Sequence, residues 1–101
     1  MPQFIKVIGT KDIPQNQGKM VDIGGQQIAI FNIGGEFLAI NNVCPHRGGP
    51  LGEGAVEGGV VTCPWHGWQF DVKTGANPVN PAACVKTFPC KVEGSELWVQ
   101  I

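Results

Sequence analysis

Arginine occurs once in this 101-residue chain (Arg47), histidine twice and tyrosine never, and only 15% of the residues are charged. Seven Lys and Arg against eight Asp and Glu give a net charge of −1. The charges are spread along the chain, so there is no basic face and nucleic acid is not expected as a partner. No apolar run approaches the roughly 20 residues that span a bilayer, so no membrane partner is expected either. No basic-then-apolar leader follows Met1, and a cytoplasmic location, where thiols stay reduced, is the expectation. Long helices are excluded as well, because fifteen Gly and eight Pro leave no uninterrupted helical window. Low-complexity tracts and linkers are missing. With 43% hydrophobic residues the chain can bury one core, and a single domain over 1–101 is expected.

What remains reads as β-structure. Alternating or β-branched runs fall at 4–8, 19–23, 27–33, 37–41, 60–63, 69–72, 85–92 and 97–101. Turn signals separate them: Gly24-Gly25, Gly34-Gly35, Gly58-Gly59, Lys73-Thr74-Gly75 and Glu93-Gly94-Ser95. Short strands at this spacing imply an all-β fold, an antiparallel sandwich or barrel. Residues 42–70 read as an inserted subdomain, and 77–83, with Pro78 and Pro81, as the longest irregular stretch outside it.

That insertion contains both histidines and two of the four cysteines. Cys44-Pro45-His46 and Cys63-Pro64-Trp65-His66 stand sixteen residues apart, and the stretches C-P-H-R-G and C-P-W-H-G are near copies. A Cys₂His₂ set suits either one zinc ion or a [2Fe–2S] centre in which two His replace two Cys on one iron. Zinc sites usually pair like ligands close together, whereas here each loop offers one thiolate and one imidazole, which favours the cluster over a zinc ribbon. Pro45 and Pro64 stiffen such loops, and Gly48, Gly49 and Gly67 supply positive φ or close approach, leaving N–H groups to donate to sulfur.

The pattern C-x-H-x₁₆-C-x₂-H, with Gly67 after the second His and Phe70 beyond it, resembles the Rieske iron–sulfur family, and within it the small soluble ferredoxins of bacterial oxygenase systems. The resemblance implies a Rieske fold with a cluster-binding subdomain. It also implies one [2Fe–2S] cluster held by Cys44 and Cys63 on one iron and His46 and His66 on the other. Its partners would be a flavoprotein reductase and a terminal oxygenase, both met transiently by a monomer. A Rieske oxygenase also needs a mononuclear iron on two His and a carboxylate; with no third histidine the chain is a relay and not an enzyme. A different reading is the Rieske-like small subunit of an assimilatory nitrite reductase complex, against which the intact ligand quartet counts.

His ligation makes the oxidised centre neutral, so it accepts an electron more readily than an all-Cys cluster, within a window of about −150 to +300 mV. High-potential family members carry an interloop disulfide and Ser and Tyr hydroxyls directed at the sulfurs. The matching positions here are Gly49 and Trp65, Trp68, and Phe70, so the low end of the window is expected.

The electron is expected to pass through the histidine edge, rimmed by Pro45, Arg47, Gly48, Pro64, Trp65 and Gly67. Trp68 reads as packing, whereas Trp65 is open between a partner contact and a lid. Arg47 is open between a partner contact and a solvated charge, and Glu53 and Glu57 read as solvated loop charges. Cys84 and Cys90 are too far apart along an extended chain, roughly 20 Å, to form a disulfide, and are expected as core or semi-buried thiols.

Overall fold

The computed structural model describes residues 4–45, 48–65, 67–80 and 82–100. Among the described residues, ten strands in three antiparallel sheets make the fold. The central sheet has the order β2-β3-β4-β8, the terminal sheet β1-β10-β9, and the loop sheet β5-β6-β7. In chain order the strands are β1 (Phe4–Gly9), β2 (Gln17–Ile23), β3 (Gln26–Ile33), β4 (Glu36–Asn41), β5 (Ala55–Glu57), β6 (Val60–Thr62), β7 (Gln69–Asp71), β8 (Thr87–Phe88), β9 (Cys90–Glu93) and β10 (Glu96–Gln100).

The Gly-Gly pairs fix the hairpins. Gly24 and Gly25 (φ 58° and 88°), Gly34 and Gly35 (61° and 92°), and Gly58 and Gly59 (60° and 79°) each form a two-residue connection with both residues left-handed. That is the type I′ turn, whose twist matches the flanking strands and which residues with a Cβ resist. Asp22 Oδ1 and Asn32 Oδ1 accept the amides of Gly25 (3.1 Å) and Gly35 (2.9 Å), pinning the first two turns.

The middle of β3 in the central sheet is buried on both faces. From β3, Ile28 and Ile30 join Leu97 and Val99 of the terminal sheet together with Ile13, Ala39 and Phe88. Alternate residues Ala29 and Phe31 turn the other way, into a second core with Leu51, Val61, Phe70, Val72, Cys44 and Cys63. A strand covered on both sides has no need of polar alternation, which is why β3 reads as the continuous apolar run Ile28-Ala29-Ile30-Phe31. The second core is the platform on which the two Cys-His loops stand.

The structure departs from the sequence reading in three places. The stretch 85–92 is two strands, not one: β8 pairs with β4 in the central sheet, and β9 pairs with β10 in the terminal sheet. Pro89 lies between them. With no N–H to give a ladder it marks the crossing from one sheet to the other, while its carbonyl accepts Gln100 N–H at 2.9 Å. Strand β5 has too short an apolar run to signal itself and exists by pairing with β6. The 3₁₀ turns at Thr10–Asp12 and Leu51–Glu53 were likewise not indicated by periodicity.

Candidate functional site

Each Cys-His loop is closed by the same pair of backbone hydrogen bonds. Cys44 donates its amide to Gly49 O (3.0 Å), and its carbonyl accepts Gly48 N–H (2.7 Å). Cys63 donates to Trp68 O (2.7 Å), and its carbonyl accepts Gly67 N–H (3.0 Å). The glycine four residues after each cysteine is left-handed, φ 77° at Gly48 and 75° at Gly67, so the loop likeness read from sequence is a likeness of backbone. One detail differs from expectation. The N–H groups of Gly48 and Gly67 are engaged by the cysteine carbonyls, so these glycines serve the turn first.

The first loop is also clamped at its base by Asn42, 2% exposed and the buried polar residue of the described core. Its side-chain Oδ1 accepts Gly52 N–H at 2.7 Å, and its backbone carbonyl accepts Leu51 N–H at 2.8 Å. Its amide reaches Gln27 O at 2.9 Å, and its Nδ2 donates to Gln27 Oε1 at 3.3 Å. Asn42 therefore ties both ends of the loop to each other and to β3. Sequence reasoning passed over it. The available signal was an Asn at the junction of a strand and a loop, where its side chain can satisfy backbone groups.

The two thiols share one core. Cys44 and Cys63 are each 2% exposed and both pack in the cluster containing Phe70, Val61 and Leu51. Gly49 sits where the loops meet: a Cβ placed on it would lie 2.5 Å from Cys63 Sγ and 3.3 Å from Trp65 Cγ. The backbone of the first loop thus touches the thiol of the second, an approach that only glycine permits. His46, Arg47 and His66 lie outside the described residues.

Around the buried thiols the loop tips are exposed. Pro45, Gly48, Pro64 and Gly67 face solvent, as do Trp65 at 58% and Val43 at 43%. Glu53 and Glu57 are exposed, as expected. Trp68 packs against the thiol-bearing core and its ring meets Phe70 at 6.4 Å between centroids, in keeping with the packing role read for it. Both ion pairs among the described residues, Lys6–Glu96 and Lys91–Glu93, belong to the terminal sheet. The described residues of the rim, Val43, Pro45, Gly48, Pro64, Trp65 and Gly67, carry no charge.

Cys84 and Cys90 form no disulfide. Cys90 is half-buried, and burial pushes its thiol up to about 11. Cys84 departs from the expected burial: it is exposed, because it lies in the irregular connection, joined to Ala76 by an isolated bridge rather than within a sheet. A surface groove of about 450 Å³ runs past Phe37, Phe88 and Cys90 and includes no residue of either Cys-His loop.

An all-antiparallel fold presenting two matched loops, each with a buried thiol and a neighbouring histidine in sequence, defines a class of proteins built to hold a metal or cluster on mixed thiol and imidazole donors. The chain belongs to the Rieske [2Fe-2S] domain family, whose model matches residues 3–89. It is 38% identical over 92 residues to the 3-phenylpropionate/cinnamic acid dioxygenase ferredoxin subunit of Shigella boydii, covering 89% of this chain and 86% of that one. The structure is similar to one described as a complex of reduced oxygenase and oxidized ferredoxin in carbazole 1,9a-dioxygenase (TM-score 0.85, 30% identity, 95% of this chain and 91% of that one). It also shares its fold with a putative NADH-dependent nitrite reductase small subunit from Mycobacterium tuberculosis (TM-score 0.90, 22% identity, 100% and 96%). The family's cofactor is one [2Fe–2S] cluster. The residues present fit it: two thiols are buried together, and Gly49 forms a cradle that a Cβ would fill.

Proposed function

We propose that the chain is a one-electron carrier that takes electrons from a flavoprotein reductase and passes them to a terminal oxygenase. Cys44 and Cys63 would hold one iron of the cluster, and His46 and His66 the other. Residues 42–70 would act as the cluster-binding subdomain of one domain spanning 1–101. When bound, the cluster supplies reversible one-electron chemistry. The chain's own part is to hold two thiolates in a dry core and to expose a nearly uncharged rim to its partners. The observation that carries this reading is the pair of matched loops meeting at Gly49, with both thiols 2% exposed behind that rim.

The names of the relatives, ferredoxin components of dioxygenases, support the oxygenase reading. The likeness to nitrite reductase small subunits, at 22% identity, concerns the fold alone. No helix among the described residues is long and apolar enough to cross a membrane. We place the carrier in the cytoplasm, acting as a monomer through weak contacts below about 1,200 Å², because a relay must release each partner between transfers.

The test is iron and acid-labile sulfide analysis with spectroscopy on the purified protein and on His46→Ala and His66→Ala. Two irons and two sulfides are expected in the parent, and loss of the Rieske spectrum in each variant. A full spectrum in either variant refutes the ligand assignment.

A further inference from the structure

Cys63 is 2% exposed although the residues beside it, Pro64 and Trp65, and Gly67 at the far end of its turn, all face solvent. Core residues Val61 and Phe70 cover it from within, but the outward side needs another cover. The Gly49 backbone supplies part of it, and Trp65 lies against the same glycine. A single point beside the Gly49 backbone lies 2.5 Å from Cys63 Sγ, 3.3 Å from Trp65 Cγ and 3.4 Å from Trp65 Cβ. The base of the indole and the sulfur therefore press on the same glycine of the opposite loop. The remainder of the ring reaches solvent, which is how Trp65 is 58% exposed while its Cβ and Cγ lie against Gly49.

We propose that Trp65 is a positioning residue that screens the Cys63 thiolate from water and thereby keeps the electron affinity of the site low. This inference rests on the cluster reading given above. The physical argument concerns charge. Ligation by two thiolates and two neutral imidazoles gives a neutral oxidised centre and a reduced centre with one extra negative charge. Water at the sulfur stabilises the more charged state, so excluding water disfavours reduction. An indole packed on the same glycine as the sulfur excludes water chiefly through its apolar area, since it carries a single N–H. Size and apolarity carry the effect, so phenylalanine should replace the tryptophan largely intact, leucine less well and alanine poorly.

The experiment measures two partner-independent quantities on the cluster-loaded protein and on Trp65→Phe, Trp65→Leu and Trp65→Ala: the midpoint potential by film voltammetry, and the rate of iron release to a chelator. The expected result is a graded rise in potential from Trp and Phe through Leu to Ala, with iron release becoming several-fold faster in the same order. If Trp65→Ala cannot retain a cluster, the order of the Trp, Phe and Leu proteins decides the matter. Potentials and release rates that ignore ring size, in proteins with full iron and sulfide, overturn the role of Trp65 while leaving the cluster reading standing. A parent protein with no bound iron and sulfide overturns the cluster reading itself.

Discussion

Gly49 of the first Cys-His loop and Cys63 of the second are in backbone-to-thiol contact: the hydrogen of the glycine occupies the place from which a methyl would sit 2.5 Å from the sulfur. The two loops are adjacent at this point without a covalent link, and the fit depends on one missing side chain.

Gly49→Ala should therefore be far more damaging than its chemistry suggests. Its backbone is not left-handed, so the conformation itself accepts alanine, and the harm comes from overlap with Cys63 Sγ. Overpacking of this kind costs about 1–3 kcal/mol. The expected outcome is protein that folds with a lowered melting temperature and retains less than half of the parent's iron. Iron analysis and thermal unfolding check it.

Phe70 is fully buried in the same core as both thiols and has no hydroxyl to offer them. Phe70→Tyr should raise the midpoint potential if the new hydroxyl reaches a ligand sulfur, because a donor there favours the reduced, more negative state. The parent should titrate in the lower part of the window of about −150 to +300 mV and vary little between pH 6 and 8. Film voltammetry showing a slope near one proton per electron over that range would contradict it.

The exposed rim offers Val43 as a probe of docking that leaves the Gly49–Trp65 contact alone. Val43→Glu should slow electron transfer to the oxygenase by several-fold, since it places charge in an apolar contact, while the visible spectrum and iron content stay at parental values. Lys91→Ala, on the terminal sheet, is the control and should transfer at the parental rate. Stopped-flow reduction of the oxygenase reads both, and the rates should fall only mildly with salt, since the net charge is −1.

The two remaining cysteines should separate cleanly by reactivity. Cys84 is exposed and should be alkylated first, whereas burial holds the Cys90 thiol protonated up to about 11. Near pH 8, mass spectrometry after brief iodoacetamide treatment should find the label on Cys84 and little on Cys90. The sign of the stability effect follows from linkage. The folded state binds the Cys90 proton more tightly than the unfolded state, whose thiol ionises near 9.0, so this stabilisation is complete below about 9 and is lost as pH rises toward 11. Replacing Cys90 with Ala should flatten the alkaline part of the stability profile measured by urea unfolding.

The sequence made the strands and the likeness of the two loops legible for a physical reason. Gly-Gly pairs are strong local signals, and the likeness of the two Cys-His loops is visible because their backbone requirement, a left-handed glycine four residues after each cysteine, is local as well. The break at Pro89 was less legible, because 85–92 reads as one mixed apolar and polar run and only the sheet partners show that the chain changes layer there. Asn42 was missed because its partners, Gln27 and Gly52, are distant along the chain. The exposure of Cys84 was misjudged because a thiol in an irregular connection carries no period from which burial can be read. Trp65 could not be resolved between contact and lid from sequence, since the choice depends on its distance from Gly49.

The placement of the two cores has a bearing on the order in which the molecule assembles. The buried residues that pack around both thiols run from Ala29 to Val85, whereas among the described residues β1 pairs only with β10, joining Phe4 to Gln100. As the chain leaves the ribosome, everything needed to shape the thiol pocket emerges before the last strand does. The first strand, by contrast, waits for β10 to emerge before it finds its register. The thiol half can therefore be in place for iron delivery while the terminal sheet is still open. The slowest step of folding should be this long-range closure, reported by amide protection in β1 and β10 appearing after protection in β3 and β6.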